Sequence, residues 1–281
     1  MRTVTADDGV AIAYDVFGRH DREPVLLIQG LGTDSRGWAF QRWAFGRRYR
    51  CITVDNRVMG HSERPPGPYD LEQMVRDALA CLDAEGIERV HVVGASMGGV
   101  IAQIMAVLHP ERVRSLVLAC TSCRHHQWRR ELFQEWADDV EAGGMGALGG
   151  EGLRWLIGPR LRRRFGLWLN LLARILLESP TEPFVAQVHA ILNASDDLRF
   201  ELQHVRAPTL VITGSQDALT PIGDAEELAE LIPGARLVEL RGAAHGLMVE
   251  APNAFNRAVL SFLDEVTESA GAFDRTAAES A

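Results

Sequence analysis

Cysteine is scarce. Four residues in 281 (Cys51, Cys81, Cys120, Cys123) are too few for the disulfide framework of a small secreted domain. Cys120 and Cys123 form a single C-x-x-C, but no second C-x-x-C or H-x-x-x-H completes a zinc site, and no thioredoxin-like context surrounds the pair. They read as two reduced thiols at a strand end. Positive charge is also in deficit: 29 Lys and Arg against 38 Asp and Glu leave a formal charge of -9, which disfavours nucleic acid and anionic lipid surfaces as partners. No uninterrupted apolar run is long enough to span a bilayer. The opening MRTVTADDGV carries no apolar signal core, so the cytoplasm is the expected compartment. G-x-x-x-x-G-K-[ST] does not occur, which removes the P-loop signature. Internal repeats are absent.

What is present fits one large α/β domain carrying an insertion. Hydrophobic residues make up 47% of the chain, ordinary for a globular protein with a substantial core. Two β-like runs, Thr3–Thr5 and Val10–Phe17, flank the turn signal Asp7-Asp8-Gly9. Val25–Ile28, Cys51–Val54, Val90–Val93, Ser115–Leu118, Thr209–Ile212 and Arg236–Leu240 follow; the continuous apolar runs among them suit strands buried on both faces. Helical patterns lie between. Asp70 and Gln73 resemble a capping box, ahead of Leu71, Val75, Leu79 and Leu82 at helical spacing and a terminating Gly86. Met97–Leu108 is apolar almost all round, the mark of a buried helix. Thr220-Pro221 and Pro252 mark two later helix starts. Strands alternating with helices predict βαβ crossovers and a mostly parallel sheet flanked by helices.

One stretch breaks the alternation. Residues 124–200 hold helical patterns without a convincing strand, and read as a helical cap over a core made of residues 1–123 and 201–267. The small, polar segment 268–281 is expected to be a disordered tail.

The most informative stretch is Gly94-Ala95-Ser96-Met97-Gly98-Gly99. It sets G-x-S-x-G directly after a β run and before a buried helix. A sharp strand-to-helix turn holds such a serine in a strained backbone conformation with its hydroxyl exposed, and crowds the positions two before and two after it, where glycine is needed. The new helix also points free N–H groups at the site. A serine hydroxyl needs a base and an orienting acid, and on this kind of turn they follow in the chain order Ser, Asp or Glu, His, each at a strand end. Asp217 lies in the loop after Thr209–Ile212, and His245 just beyond the last β run. His91 lies inside a strand; His109, His125, His126, His189 and His204 are poorly placed, and His20 and His61 precede the serine. Asp224 is a fallback acid, but it falls on a predicted helix. An oxyanion needs preorganised donors; the Met97 and Leu31 N–H groups are the candidates, the latter in Gln29-Gly30-Leu31-Gly32, where glycines permit close approach.

From about residue 10 to 267 the chain resembles the α/β-hydrolase superfamily. The matching residues are Gly30-Leu31-Gly32, Asp55-Asn56-Arg57 with Gly60 and Ser62, Gly94 to Gly99, Gly214 to Asp217, and Ala244-His245-Gly246. Within it, Leu31-Gly32-Thr33-Asp34, Pro68-Tyr69 and Asp83 through Gly99 are similar to 3-oxoadipate enol-lactonases and related small-ester hydrolases. Two positions depart from the family pattern. Gln29 stands where a histidine is usual, a change enol-lactonases also tend to show. Val58 replaces the glycine usual after Asp-x-Arg, which implies altered loop packing.

The resemblance implies a carboxylic ester hydrolase acting on a small-molecule ester or lactone: Ser96 as nucleophile, His245 as base, Asp217 as orienting acid, Leu31 and Met97 as oxyanion donors, and an acyl-enzyme resolved by water. No metal or organic cofactor is implied, and a homodimer is compatible with the sequence. Other chemistry on the same fold stays open, including carbon–carbon bond hydrolysis, cofactor-free oxygenation, or ligand binding without catalysis. Gly30, Gly32, Trp38, Trp128 and Trp136 are the substrate-pocket candidates, with Trp155 and Trp168 behind them. The Arg160–Arg164 cluster reads as a solvated helix face.

Overall fold

Period-2 alternation within apolar runs builds both layers of the core. In the computed structural model, which describes residues 1–164 and 181–279, β1 (Arg2–Thr5) and β2 (Ala11–Gly18) precede β3 (Pro24–Ile28), β4 (Arg50–Val54), β5 (Val90–Ala95), β6 (Val113–Ala119), β7 (Thr209–Gly214) and β8 (Arg236–Leu240). They form one sheet in the order β1-β2-β4-β3-β5-β6-β7-β8. Only the β1–β2 and β2–β4 pairings are antiparallel; the rest run parallel. Leu26, Ile28, Val92, Leu116 and Leu118 face one layer, while Val25, Leu27, Val93 and Val117 face the other. Each such side chain stabilises the fold by roughly 1.5–3 kcal/mol on full burial.

Ten helices cover the sheet or build the insertion among the described residues: α1 (Ala39–Gly46), α2 (Leu71–Ala84), α3 (Met97–Leu108), α4 (Gln127–Gly143), α5 (Gly149–Leu156), α6 (Thr181–Asn193), α7 (Leu198–Glu201), α8 (Ile222–Leu231), α9 (Leu247–Glu250) and α10 (Pro252–Glu279), with a further helical stretch over 159–164. The Asp70 carboxylate caps α2 by accepting from the Gln73 N–H at 2.5 Å. α2, α3 and α8 pack on one face of the sheet; Phe45 of α1 and Phe255, Val259 and Leu263 of α10 pack on the other.

Between β6 and β7 the described residues contain helices and no strand, an insertion referred to as the cap. Phe133, Trp136 and Val140 of α4 are buried with Phe184, Val188 and Ile191 of α6, so the insertion carries its own apolar layer down to the core. At the far end α10 continues to Glu279, past the boundary near 267 beyond which composition predicted disorder. The difference has a local cause: Ala, Glu and Arg favour helix once one has nucleated. No helix among the described residues is long and apolar enough to cross a membrane.

Candidate active site

Ser96 sits between β5 and α3 at φ 54, ψ -120, a conformation L residues avoid and hold only where the surroundings enforce it. The enforcement is visible. Ser96 N–H donates to the Ala119 carbonyl at 2.9 Å, and the Thr121 hydroxyl donates to the Ser96 carbonyl at 2.8 Å. A Cβ at Gly94 would run into the Gly98 carbonyl, and one at Gly98 into the Ile28 carbonyl. Glycine at both positions therefore lets strand, turn and helix close on one another.

His245 follows β8 in the Gly242–Gly246 loop and is buried. Its Nε2 lies 2.9 Å from Ser96 Oγ and its Nδ1 2.9 Å from Asp217 Oδ2. Asp217 follows β7 and is held by donors on both oxygens. The Leu219 and Thr220 N–H groups donate to Oδ1, each at 2.9 Å, and the Thr220 hydroxyl donates to Oδ2 at 2.8 Å. Burial pushes this carboxyl up, but neighbouring His245 and the Thr220 donors outweigh it and hold the group below the usual carboxylate range. The three predicted residues thus form one hydrogen-bonded chain across a turn and two loops that are 149 and 28 residues apart in sequence.

The Gly30–Gly32 loop lies against the serine: a Cβ at Gly30 would stand 3.0 Å from Ser96 Cβ and 3.5 Å from its Oγ. Among the described residues the Leu31 and Met97 N–H groups have no hydrogen-bond acceptor. Gln29, at the position of the usual histidine, is buried. Its Oε1 accepts from Gly30 N–H at 3.3 Å, and Asn56 Nδ2 donates to its carbonyl at 3.1 Å. Val58 takes φ 69, so the backbone keeps the left-handed turn that glycine serves in the family pattern even though the side chain is β-branched.

The tryptophans divide. Trp38 is 0% exposed and packs on Phe255 with ring centroids 6.4 Å apart. It belongs to the layer between the sheet and α10 rather than to a pocket wall, because α1 starts at once after it and its ring is drawn into the apolar core. Trp136 is buried against Phe133 in the cap. Trp128 is partly exposed and stacks on Trp155 at 5.8 Å. Trp168 lies outside the described residues. All four cysteines are free and buried; burial drives the Cys120 thiol well above its ordinary value and Cys123 up to about 12, which suits inert thiols. Asp224, the fallback acid, pairs instead with the fully buried Arg129 of α4. His126, Asp224 and Glu227 bring potential metal ligands within 4.8 Å of one another, yet Arg129 holds Asp224 and Arg124 holds Glu227 at 2.9 Å. The trio is an ion-pair network already neutralised by arginine.

Several contributors escaped the sequence reading. Thr220 stands three residues after Asp217, a spacing that local side-chain-to-backbone bonding favours, so this one carried a signal. Thr121 and the cap's contacts carried none. Gln187 of α6 accepts from Gly32 N–H at 3.0 Å. Glu250 of α9 accepts from Ala244 N–H at 3.2 Å and Gly158 N–H at 3.1 Å, and the Leu156 carbonyl accepts from Gly246 N–H at 2.7 Å. The Leu219 carbonyl, in the Asp217 loop, accepts from Arg129 Nε at 2.9 Å. The cap is therefore bonded to all three loops of the site.

Comparison with known proteins identifies the fold family. Residues 23–252 match the family model described as the alpha/beta hydrolase fold. A 3-oxoadipate enol-lactonase of Acinetobacter baylyi is 33% identical, covering 92% of this chain and 94% of its own. A protein of Azorhizobium caulinodans with the provisional name carbamate hydrolase is 32% identical, over 91% of this chain and 96% of its own. The solved enol-lactonase of Burkholderia xenovorans superposes with a TM-score of 0.86 at 31% identity, covering 94% of this chain and all of that one, 100%. The family model and these relatives span most of the length, and the chain belongs to the alpha/beta hydrolase fold family.

Proposed function

We propose that the protein is a serine hydrolase that cleaves the carboxylic ester or lactone of a small molecule through an acyl-enzyme. The observation that carries the reading is the double contact of His245, with Nε2 at 2.9 Å from Ser96 Oγ and Nδ1 at 2.9 Å from Asp217 Oδ2. An ionised Asp217 can only accept, so Nδ1 carries the proton and Nε2 is left as the base that faces the hydroxyl.

As Ser96 Oγ attacks the carbonyl carbon, its proton passes to His245 Nε2 and Asp217 stabilises the imidazolium. The Leu31 and Met97 N–H groups, both free of acceptors among the described residues, donate to the oxyanion. Collapse breaks the ester C–O bond and His245 returns the proton to the departing alkoxide. Water then repeats the cycle on the acyl-enzyme, releasing acid and free Ser96. In a lactone the alcohol stays tethered to the acyl group. A carbamate presents the same carbonyl to the same nucleophile, so the name borne by the Azorhizobium relative places carbamates in the substrate screen. The enol-lactonase names of two relatives favour lactones first.

The test is covalent labelling with a fluorophosphonate, mapped by mass spectrometry, with Ser96→Ala as control. A single adduct at Ser96, absent from the variant and accompanied by turnover of small esters or lactones, is the expected result. Failure of folded wild-type protein to label or to turn over any ester, lactone or carbamate would overturn the proposal.

A further inference from the structure

Gln187 lies on α6 of the cap and is 0% exposed. Its two amide atoms are in unequal positions. Oε1 accepts from the Gly32 N–H at 3.0 Å, and because that partner is a donor, the oxygen must be the atom that faces it. Nε2 is thereby turned the other way, buried, with no partner among the described residues. A buried amide N–H without an acceptor is costly and rare in a folded protein, and an orphan of this kind is a place to look for a ligand.

Its surroundings say which ligand. Gly32 is one residue from Leu31, whose N–H we assign to the oxyanion, and Gly30 at the other end of the loop stands against Ser96 Oγ. The Phe184 ring, one turn before Gln187 on α6, would come within 3.1 Å of a Cβ at Gly32, so the cap helix is packed directly on this loop. Nε2 shares a carbon with the oxygen that grips the loop. It therefore sits at the junction of cap helix and loop, whose other end, Gly30, stands against Ser96. The amide is an uncharged donor, suited to an acceptor oxygen and indifferent to plain hydrocarbon.

Resting on the ester-hydrolase reading above, we propose that Gln187 is a specificity-determining residue whose Nε2–H donates to a second acceptor oxygen on the substrate, so that preferred esters and lactones carry an oxo or carboxylate oxygen besides the scissile carbonyl. Oε1 keeps the loop in register while Nε2 reads the substrate. The side chain thus links the cap to the choice of acyl group.

The experiment measures kcat/KM for p-nitrophenyl pentanoate, for its oxo-substituted counterparts and for the p-nitrophenyl hemiester of a dicarboxylic acid of matched length. Wild type is compared with Gln187→Leu and Gln187→Glu. The readout is the ratio of each oxygen-bearing ester to the plain one, which cancels any loss common to all substrates from a disturbed loop. Wild type should prefer at least one oxygen-bearing ester. Gln187→Leu, which removes the donor, should lower that ratio about tenfold, the worth of one hydrogen bond. Gln187→Glu keeps an acceptor for Gly32 but puts an oxygen where the amide nitrogen was, and should lower the ratio at least as far, most of all for the hemiester. The oxo and hemiester arms separate a neutral from an anionic acceptor. No preference in wild type, or a ratio unchanged in both variants, would overturn the inference and leave Gln187 as a prop for the loop. Wild type inactive on every ester would overturn the hydrolase reading itself.

Discussion

The Thr220 hydroxyl donates to the Asp217 oxygen that also receives His245 Nδ1, at 2.8 and 2.9 Å. Asp217 is thus fixed in direction as well as kept ionised: its other oxygen takes two backbone N–H groups, leaving little freedom to rotate away from the imidazole.

Thr220→Val should keep the backbone donor and the side-chain volume while removing the hydroxyl. With one donor lost from an ionised carboxylate, kcat on a small ester should fall about tenfold to a hundredfold with KM little changed. Steady-state kinetics beside a thermal melt would check this, and an unchanged kcat would show that the backbone donors alone orient Asp217.

Arg129 is a buried cation with several acceptors: the Leu219 carbonyl at 2.9 Å, the Ser122 hydroxyl at 2.9 Å, the Arg124 carbonyl at 3.0 Å and the Asp224 carboxylate. Arg129→Met strands the Asp224 charge in a buried setting and should cost about 3–5 kcal/mol. The double change Arg129→Met with Asp224→Leu should recover most of that loss. Urea midpoints of the three proteins decide it; a double variant no better than the single one would contradict the account.

Val58 occupies a left-handed conformation at φ 69 while its side chain is buried. A non-glycine residue there costs about 1–2 kcal/mol, whereas glycine at an ordinary strand or helix site is about 0.5–1 kcal/mol worse than alanine. Val58→Gly should therefore be at least as stable as Val58→Ala, reversing the usual order. Urea denaturation of the two variants tests it, and a clearly less stable glycine variant would mean that the turn is unstrained.

His91 is buried in β5, its Nδ1 2.7 Å from Ser115 Oγ and its Nε2 3.2 Å from Thr267 Oγ1. Burial, then the nearby Arg114 and Arg89, push its pKa down to about 3. The unfolded chain binds this proton near the ordinary value of 6.5, so between about pH 6.5 and 3 unfolding takes up a proton and stability falls as pH falls. From pH 7 to 5 the contribution lost is about 2 kcal/mol. His91→Gln should lose correspondingly less stability over that interval in urea titrations at the two pH values; equal losses would contradict the assignment.

The strand-and-helix alternation, the serine turn and the chain order of Ser96, Asp217 and His245 were legible in the sequence because each is a local pattern. Alternating apolar residues name a strand face, and glycines two before and two after Ser96 name the crowded turn. Helix starts at Asp70 and Pro252 follow from the chemistry of one or two side chains. Thr220 was legible in principle for the same reason, being three residues from its partner.

Only the tertiary structure decided what meets across long separations. Gly32 and Gln187 are 155 residues apart and Arg129 and Leu219 are 90 apart, and no periodicity in either segment encodes the meeting. Trp38 shows the same limit from the other side. Its residue type suits a pocket or a core equally, and the packing of Phe255 from α10 against it made it core. Backbone preferences act within a few residues, so they can be read from the chain. Side-chain partners are selected by close packing of segments brought together by the whole fold, and the cap's grip on the three loops of the site became visible only once those segments were in contact.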